Sequence, residues 1–288
     1  MFIIGGTASQ QAARDLAQAL GAQVAKIDAK RFPDGEFYVR VLDSIKGSEV
    51  IIVQTTYPDQ NLVELLLLQA AVKDAGAQTI TTAIPYFGYA RQDKRFEDGE
   101  PISAQTLAQH ISHTTDKVIT VDPHKDHILK FFTVPALSCS ALATIAAYVA
   151  QNKTVDMILA PDKGALNRAH RASEIMGCDY DYLEKKRLDG STVQMKPKKL
   201  NAKGKNALII DDIISTGGTM AKAIAQLKTQ GANDVYVACT HGVFAGGAKQ
   251  KLQGAGCDDI ICTDTIEGEF SKIRIGSTIA EALSAINR

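Results

Sequence analysis

The segment ALIIDDIISTGGTM, residues 207–220, sets two carboxylates beside a loop suited to an anion. Ser215, Thr216 and Thr219 supply hydroxyl donors, while Gly217 and Gly218 allow close backbone approach and positive φ. Between a strand and a helix, such a loop aims backbone N–H groups at a negative ligand. It matches neither GxxxxGK[ST] nor GxGxxG, and alone it reads equally as a helix cap with a turn. Asp211 and Asp212 decide between the two. Carboxylates repel phosphate but accept hydrogen bonds from hydroxyls. A ligand with a phosphate at one end and adjacent hydroxyls a few ångströms away suits both features, and a sugar phosphate such as ribose 5-phosphate is one. The loop would hold the phosphate, with Asp211 and Asp212 facing the 2- and 3-hydroxyls.

These residues need a strand and a helix to place them, and the chain offers such pairs throughout. MFII, EVIIV, TITTAIP, KVITVD, MILAP, NALIID, DVYVACTH and DIICTD read as strands. ASQQAARDLAQALG, NLVELLLLQAAVKDAG, ISAQTLAQHIS, SALATIAAYVAQ and TMAKAIAQLKTQG read as helices, several stopped by glycine. Alternation of this kind implies α/β architecture with mainly parallel sheets flanked by helices. The carboxylates then fall where a strand ends, at the mouth of an open sheet, where ligands bind in such folds.

The pattern also repeats. An apolar strand, a loop and a helix lead to Gly76-Ala77 and a second strand, and again to Gly231-Ala232 and a second strand. Two similar domains follow, 1–143 and 144–288, with the last helix free to pack on the first. Any two βαβ units share this pattern, so an accidental likeness stays open. The loops differ, QTTYPDQN in the first copy and DDIISTGGT in the second. Only one copy carries a phosphate-type loop.

Bulk composition narrows the class. The 288 residues are 45% hydrophobic and 22% charged, as in a globular chain. Lys+Arg and Asp+Glu both number 32, which argues against a dedicated nucleic-acid surface. Cys139, Cys178, Cys239, Cys257 and Cys262 form no CxxC or zinc pattern and read as buried residues in a reducing compartment. MFIIGGTASQ lacks the features of a signal peptide, and LVELLLLQAAV, interrupted by Glu64, is too short to span a bilayer. A cytoplasmic location and no membrane partner are expected.

IIDDIISTGGT resembles the phosphoribosyl diphosphate (PRPP) motif of the phosphoribosyltransferase-like superfamily. Four further segments, RFPDGEFYVRV, YARQDKRFEDGEPISA, VDPHKDHILKFF and APDKGALNRA, resemble those of ribose-phosphate pyrophosphokinase, also called PRPP synthetase. All five stand in that family's order, and the likeness covers nearly the whole chain. The compact length is similar to archaeal-type members. The resemblance implies two phosphoribosyltransferase-like domains. It also implies a step of nucleotide biosynthesis in which ATP and ribose 5-phosphate give AMP and PRPP. The sugar 1-hydroxyl attacks the β-phosphorus, so charge neutralisation and in-line placement are what the protein must supply.

Residue by residue, the resemblance implies that Phe32 stacks on adenine while Asp34 and Glu36, flanking Gly35, accept from the base. This turn would serve a neighbouring subunit, so self-association is implied. Arg91 and Gln92 would contact ATP, with Asp93 and Lys94 close by. His124 and Asp162 would hold Mg²⁺, although magnesium prefers oxygen ligands, so His124 is also a candidate for holding phosphate oxygens. Lys185 and Arg187 would be catalytic, at the root of the polar stretch 182–199, which reads as mobile or as a Lys-rich hairpin. Arg187 would also face ribose 5-phosphate. Taken without the family, FPDGE is a Pro-Asp-Gly turn before a surface strand, RQDKR a solvated charge run and His124 a surface residue.

Two departures from the family pattern stand out. Ser215 replaces an Asp common at the start of the PRPP loop, removing negative charge near the phosphate. EKKR stands where relatives often have Asp-Lys-Arg-Arg, so the catalytic lysine is Lys185 or Lys186. Two rivals remain. A phosphoribosyltransferase would need the loop but not the ATP-directed segments. A non-catalytic regulatory paralogue would be expected to lose or interrupt the catalytic loop.

Overall fold

The computed structural model describes residues 1–183, 185–187, 193–195 and 200–286. It forms two compact units. The first holds Met1–Ser140, Asp264–Glu267 and the segment from Arg274 on; the second holds Ala141–Thr263 and Gly268–Ile273.

The first unit contains β1 (Phe2–Gly5), α1 (Gln10–Leu20), β2 (Gln23–Val24), β3 (Ile27–Arg31), β4 (Phe37–Val41), β5 (Glu49–Val53), α2 (Asp59–Asp74), β6 (Thr79–Ile84), α3 (Ser103–Ile111), β7 (Lys117–Val121) and β8 (Ala136–Cys139). Its sheet runs β2-β1-β5-β6-β7-β8, every pair parallel. Strands covered on both faces read as unbroken apolar runs. Accordingly Val50 to Val53 of β5 are all buried, with Ile4, Leu65, Leu68 and Val118 in the same core.

The second unit contains α4 (Leu142–Asn152), β9 (Met157–Ala160), α5 (Leu166–Met176), β10 (Asp179–Tyr182), β11 (Lys185–Arg187), β12 (Val193–Met195), β13 (Ala207–Ile214), α6 (Gly218–Thr229), β14 (Val235–Gly242), α7 (Ala248–Gly254), β15 (Asp259–Thr263) and β16 (Ser271–Ile273). Its order, β10-β9-β13-β14-β15-β16, is again all parallel. The final helix, α8 (Gly276–Ile286), belongs to the first unit, where it packs on α1.

The repeat extends to single hydrogen bonds. The Gly47 amide donates to the Gly76 carbonyl at 2.8 Å, and that of Gly204 to Gly231 at 2.8 Å. All four glycines have positive φ, between 71° and 84°. The Ile80 amide donates to the Asp116 carboxylate, and the Val235 amide to that of Asp258, both at 2.7 Å. Each unit also inserts an antiparallel ribbon before its central strand, β3–β4 in one and β11–β12 in the other. Accident does not reproduce a topology and its turn bonds together; the two units are similar domains. Among the described residues no helix is long and apolar enough to cross a membrane.

Candidate active site

In the second unit the chain leaves β9 for β10 on one side, while β13 lies on the other. Strand order therefore switches between β9 and β13, and ligands of open α/β sheets bind in the crevice at such a point. Pairing of β13 with β9 stops at Ile209, whereas pairing with β14 continues to Ile214. Asp211 and Asp212 thus lie within the strand rather than at its end, on the stretch that β9 no longer covers. Asp162 follows β9, and its Oδ1 accepts the amides of Gly164 and Ala165 at 2.8 and 3.3 Å.

The Asp212 amide donates to Oδ1 of Asp211 at 2.9 Å. Burial first, then the charge of Asp212 and more weakly that of Asp162, push the Asp211 carboxyl well above the usual carboxylate range. The charged form of Asp211 is therefore disfavoured in this setting.

The loop 215–219 then turns into α6. Gly217 is the N-cap, with φ 70° and no side-chain capping bond. A Cβ there would lie 3.2 Å from the Ala248 Cβ, whereas one on Gly218 would meet nothing within 4 Å. Gly217 is thus required by both backbone and packing. Amides of the first helical turn lack intrahelical acceptors, so this end is made for an anion. Lys251 Nζ donates to the Thr216 carbonyl at 3.3 Å, adding a cation behind the loop.

The equivalent crevice of the first unit, between β1 and β5, is closed by its own side chains. Gln54 Oε1 accepts the Ala8 amide at 3.3 Å, and a Cβ on Gly6 would collide with Gln54. Ser9 Oγ accepts the Thr55 amide at 3.0 Å. Glu64, fully buried on α2, accepts the amide and hydroxyl of Thr7, both at 2.6 Å. In this loop the carboxylate comes from a helix 57 residues away, whereas in the loop after β9 it is the local Asp162 that accepts the amides.

The ATP-directed candidates lie elsewhere in the first unit. Phe32 to Glu36 turn the β3–β4 ribbon. Gly35, at φ 94°, donates to the Phe32 carbonyl at 2.9 Å, and Asp34 Oδ1 accepts the Glu36 amide at 3.0 Å. Phe32 is 43% exposed, a ring held at a tip and available for stacking. Gln92 is a staple of the next loop: its carbonyl accepts the Ala104 amide at 3.2 Å and its Oε1 the Ser103 hydroxyl at 2.8 Å. Asp93 pairs with His127 Nε2 at 3.1 Å. That contact joins the Arg91–Lys94 loop to the loop bearing His124. Arg91 and Lys94 remain exposed. Asp122, just after β7, takes φ 37° and accepts the Ser140 hydroxyl at 2.8 Å, turning the chain toward His124. The side chains of Lys185, Lys186 and Arg187 lie outside the described residues; their backbone forms β11, in register with Met195, Gln194 and Val193. Most of the polar stretch 182–199 lies outside them as well.

Residues 1–114 match the N-terminal domain of ribose phosphate pyrophosphokinase, and residues 137–272 the phosphoribosyl transferase domain. A ribose-phosphate pyrophosphokinase of Methanopyrus kandleri is 38% identical over 100% of both chains. That of Methanosarcina mazei is 44% identical over 98% of this chain and 95% of its own. The chain belongs to the ribose-phosphate pyrophosphokinase family. A crystal structure of phosphoribosylpyrophosphate synthetase from Mycobacterium smegmatis superposes with a TM-score of 0.84 at 30% identity, covering 99% of this chain and 98% of that one. Both units of this pyrophosphokinase fold are therefore accounted for, the first copy together with the second.

Sequence reasoning missed His127 as a partner of Asp93, and Glu64 as a partner of Thr7 and Arg31. His127 had a signal, since it stands three residues from His124. Glu64 had one too: a carboxylate interrupting the apolar run LVELLLL asks for a partner.

Proposed function

We infer that the chain is a ribose-phosphate diphosphokinase. It transfers the β,γ-diphosphoryl group of ATP to the 1-hydroxyl of ribose 5-phosphate, giving PRPP and AMP. The observation that carries this is the second unit's strand-order switch between β9 and β13. Asp211 and Asp212 stand at it beside an anion-binding helix start, in a chain similar end to end to ribose-phosphate pyrophosphokinases. The loop Ser215, Thr216, Gly217, Gly218 and Thr219 takes the 5-phosphate, and the two carboxylates take the ring hydroxyls. Phe32, Asp34 and Glu36 receive the adenine of ATP bound at a neighbouring subunit, so the working enzyme is a dimer or larger. Arg91, Gln92, Asp93 and Lys94 serve the polyphosphate side, and Lys185 and Arg187 meet the charge that develops on transfer.

Among the described residues no three His, Cys, Asp or Glu side chains converge as a metal cage. That suits magnesium, which keeps waters and substrate phosphates as ligands alongside one or two carboxylates. On the family resemblance, Asp162 and His124 are the residues that would hold the ion or its phosphate ligands. When bound, Mg²⁺ neutralises triphosphate charge. The setting is the cytoplasm, consistent with five free cysteines.

A phosphoribosyltransferase would use the same loop, but the relatives that match end to end are pyrophosphokinases. Incubation with Mg²⁺, ATP and ribose 5-phosphate should yield AMP. ADP in its place would mean γ-phosphoryl transfer and overturn the assignment.

A further inference from the structure

Glu64 is a carboxylate with no solvent exposure, placed in the apolar run of helix α2. A buried charge persists only when partners compensate it. Two donors come from Thr7, and the third is a cation, Arg31 Nη2 at 3.6 Å. Arg31 is the last residue of β3 and stands next to Phe32. Its Nη1 donates to the carbonyl of Gly35, at the apex of the turn, at 3.3 Å. Its Nη2 donates to the carbonyl of Gln60, in the first turn of α2, at 3.3 Å. The guanidinium also lies over the Phe37 ring, 5.1 Å from its centre. One planar group thus touches both ends of the turn, the helix beneath it and a buried carboxylate.

A two-stranded ribbon is marginally stable by itself, and Phe32 and its neighbours project from one. We propose that Arg31, held by Glu64, is a positioning residue for ATP: it braces the Phe32–Glu36 turn against α2 so that the ring and carboxylates are presented at a fixed angle. The proposal rests on the reading of that turn as the adenine site. A lysine could keep the charge beside Glu64 but not the fork that reaches two carbonyls at once. Glutamine at 64 keeps the shape but removes the attraction that orients the fork.

The test uses the whole protein and four variants, Arg31→Lys, Glu64→Gln, Phe32→Ala and the double variant Glu64→Gln/Phe32→Ala. Steady-state kinetics and calorimetric ATP binding are measured with thermal unfolding. Arg31→Lys and Glu64→Gln should raise the KM and Kd for ATP by about fivefold or more, while the KM for ribose 5-phosphate moves less than about twofold. In the double variant, Glu64→Gln should add little to the effect of Phe32→Ala, because both act on one ring. Equal increases for both substrates, or full additivity, would reduce the pair to a general structural support and overturn the proposal. Unchanged ATP binding in Arg31→Lys and Glu64→Gln beside a weakened Phe32→Ala would overturn it while leaving the adenine reading intact. A Phe32→Ala variant with normal ATP binding would remove the adenine reading, and the proposal with it.

Discussion

The backbone N–H of Asp212 donates to Oδ1 of Asp211 at 2.9 Å, so the main chain of the second residue holds the carboxylate of the first. The bond favours the ionised form of Asp211, but burial and the neighbouring charges win and its carboxyl titrates high. Ionised Asp211 is therefore held at an energetic cost, a strain that hydroxyl donors would relieve.

Replacing Asp211 by Asn should expose that strain. An acid whose folded pKa is raised binds its proton more tightly when folded. Its contribution is therefore lost as pH rises from about 4, the unfolded value, through the higher folded one. Ligand-free Asp211→Asn should match the parent at low pH and exceed its Tm increasingly toward neutrality. The same change should raise the KM for ribose 5-phosphate more than that for ATP. A Tm difference independent of pH would contradict the titration, and a selective effect on ATP would move the carboxylates to the other substrate.

Gly217 and Gly218 should separate on substitution. Gly217→Ala forces a Cβ against Ala248 at positive φ, costing about 1–3 kcal/mol of stability. Gly218→Ala meets open space, so its Tm should be unchanged. If the loop takes the 5-phosphate as proposed, its Cβ should weaken ribose 5-phosphate alone. Calorimetry with that ligand, run beside thermal unfolding, distinguishes the two.

Lys185→Ala and Arg187→Ala should each lower kcat by about a hundred- to thousandfold, the loss of about 2.7–4 kcal/mol expected for one preorganised donor. Their KM values should change much less, because the charge they meet builds up mainly in the transition state. Lys186→Ala is the control and should be nearly neutral. A mild Lys185→Ala with a crippled Lys186→Ala would shift the role by one residue. Near-normal turnover in all three would remove this ribbon from the mechanism.

His127→Ala should have a small effect. The His127–Asp93 pair is half exposed on the histidine side, and exposed pairs contribute about 0–1 kcal/mol. The KM for ATP should rise by less than about fivefold, with ribose 5-phosphate unaffected. A larger change would show that His127 contacts the nucleotide itself.

Assembly is a separate matter. If the Phe32 turn completes a neighbour's site, the smallest active species is a dimer. Light scattering at assay concentration that found an active monomer would refute this.

How much the sequence revealed depended on burial. Strands covered on both faces, such as Val50 to Val53, are unmistakable apolar runs. The β3–β4 ribbon is half exposed, and the alternation in IDAKR spans only Ile27 to Lys30, too short to stand out as a strand. Helix α5 was missed because it is polar overall and its buried face is only Ala169, Ala172 and Ser173, so no large apolar side chains mark it. The Asp211–Asp212 pair and its loop were legible because one contiguous segment holds them. The Arg31–Glu64 and Asp93–His127 contacts join residues more than thirty positions apart, and only the fold puts them together.

The return of α8 to the first unit has a consequence for synthesis. Gly276 sits so close to α1 that a Cβ there would lie 2.6 Å from the Leu16 amide nitrogen. Ile279, Ala280 and Leu283 are buried beyond it. The first unit is thus finished by a helix that follows the whole second unit in sequence. At about 5–20 residues per second, the apolar surface of α1 emerges many seconds before the helix that covers it. During that interval the second unit can complete its own sheet first, so the order of folding need not follow the order of translation.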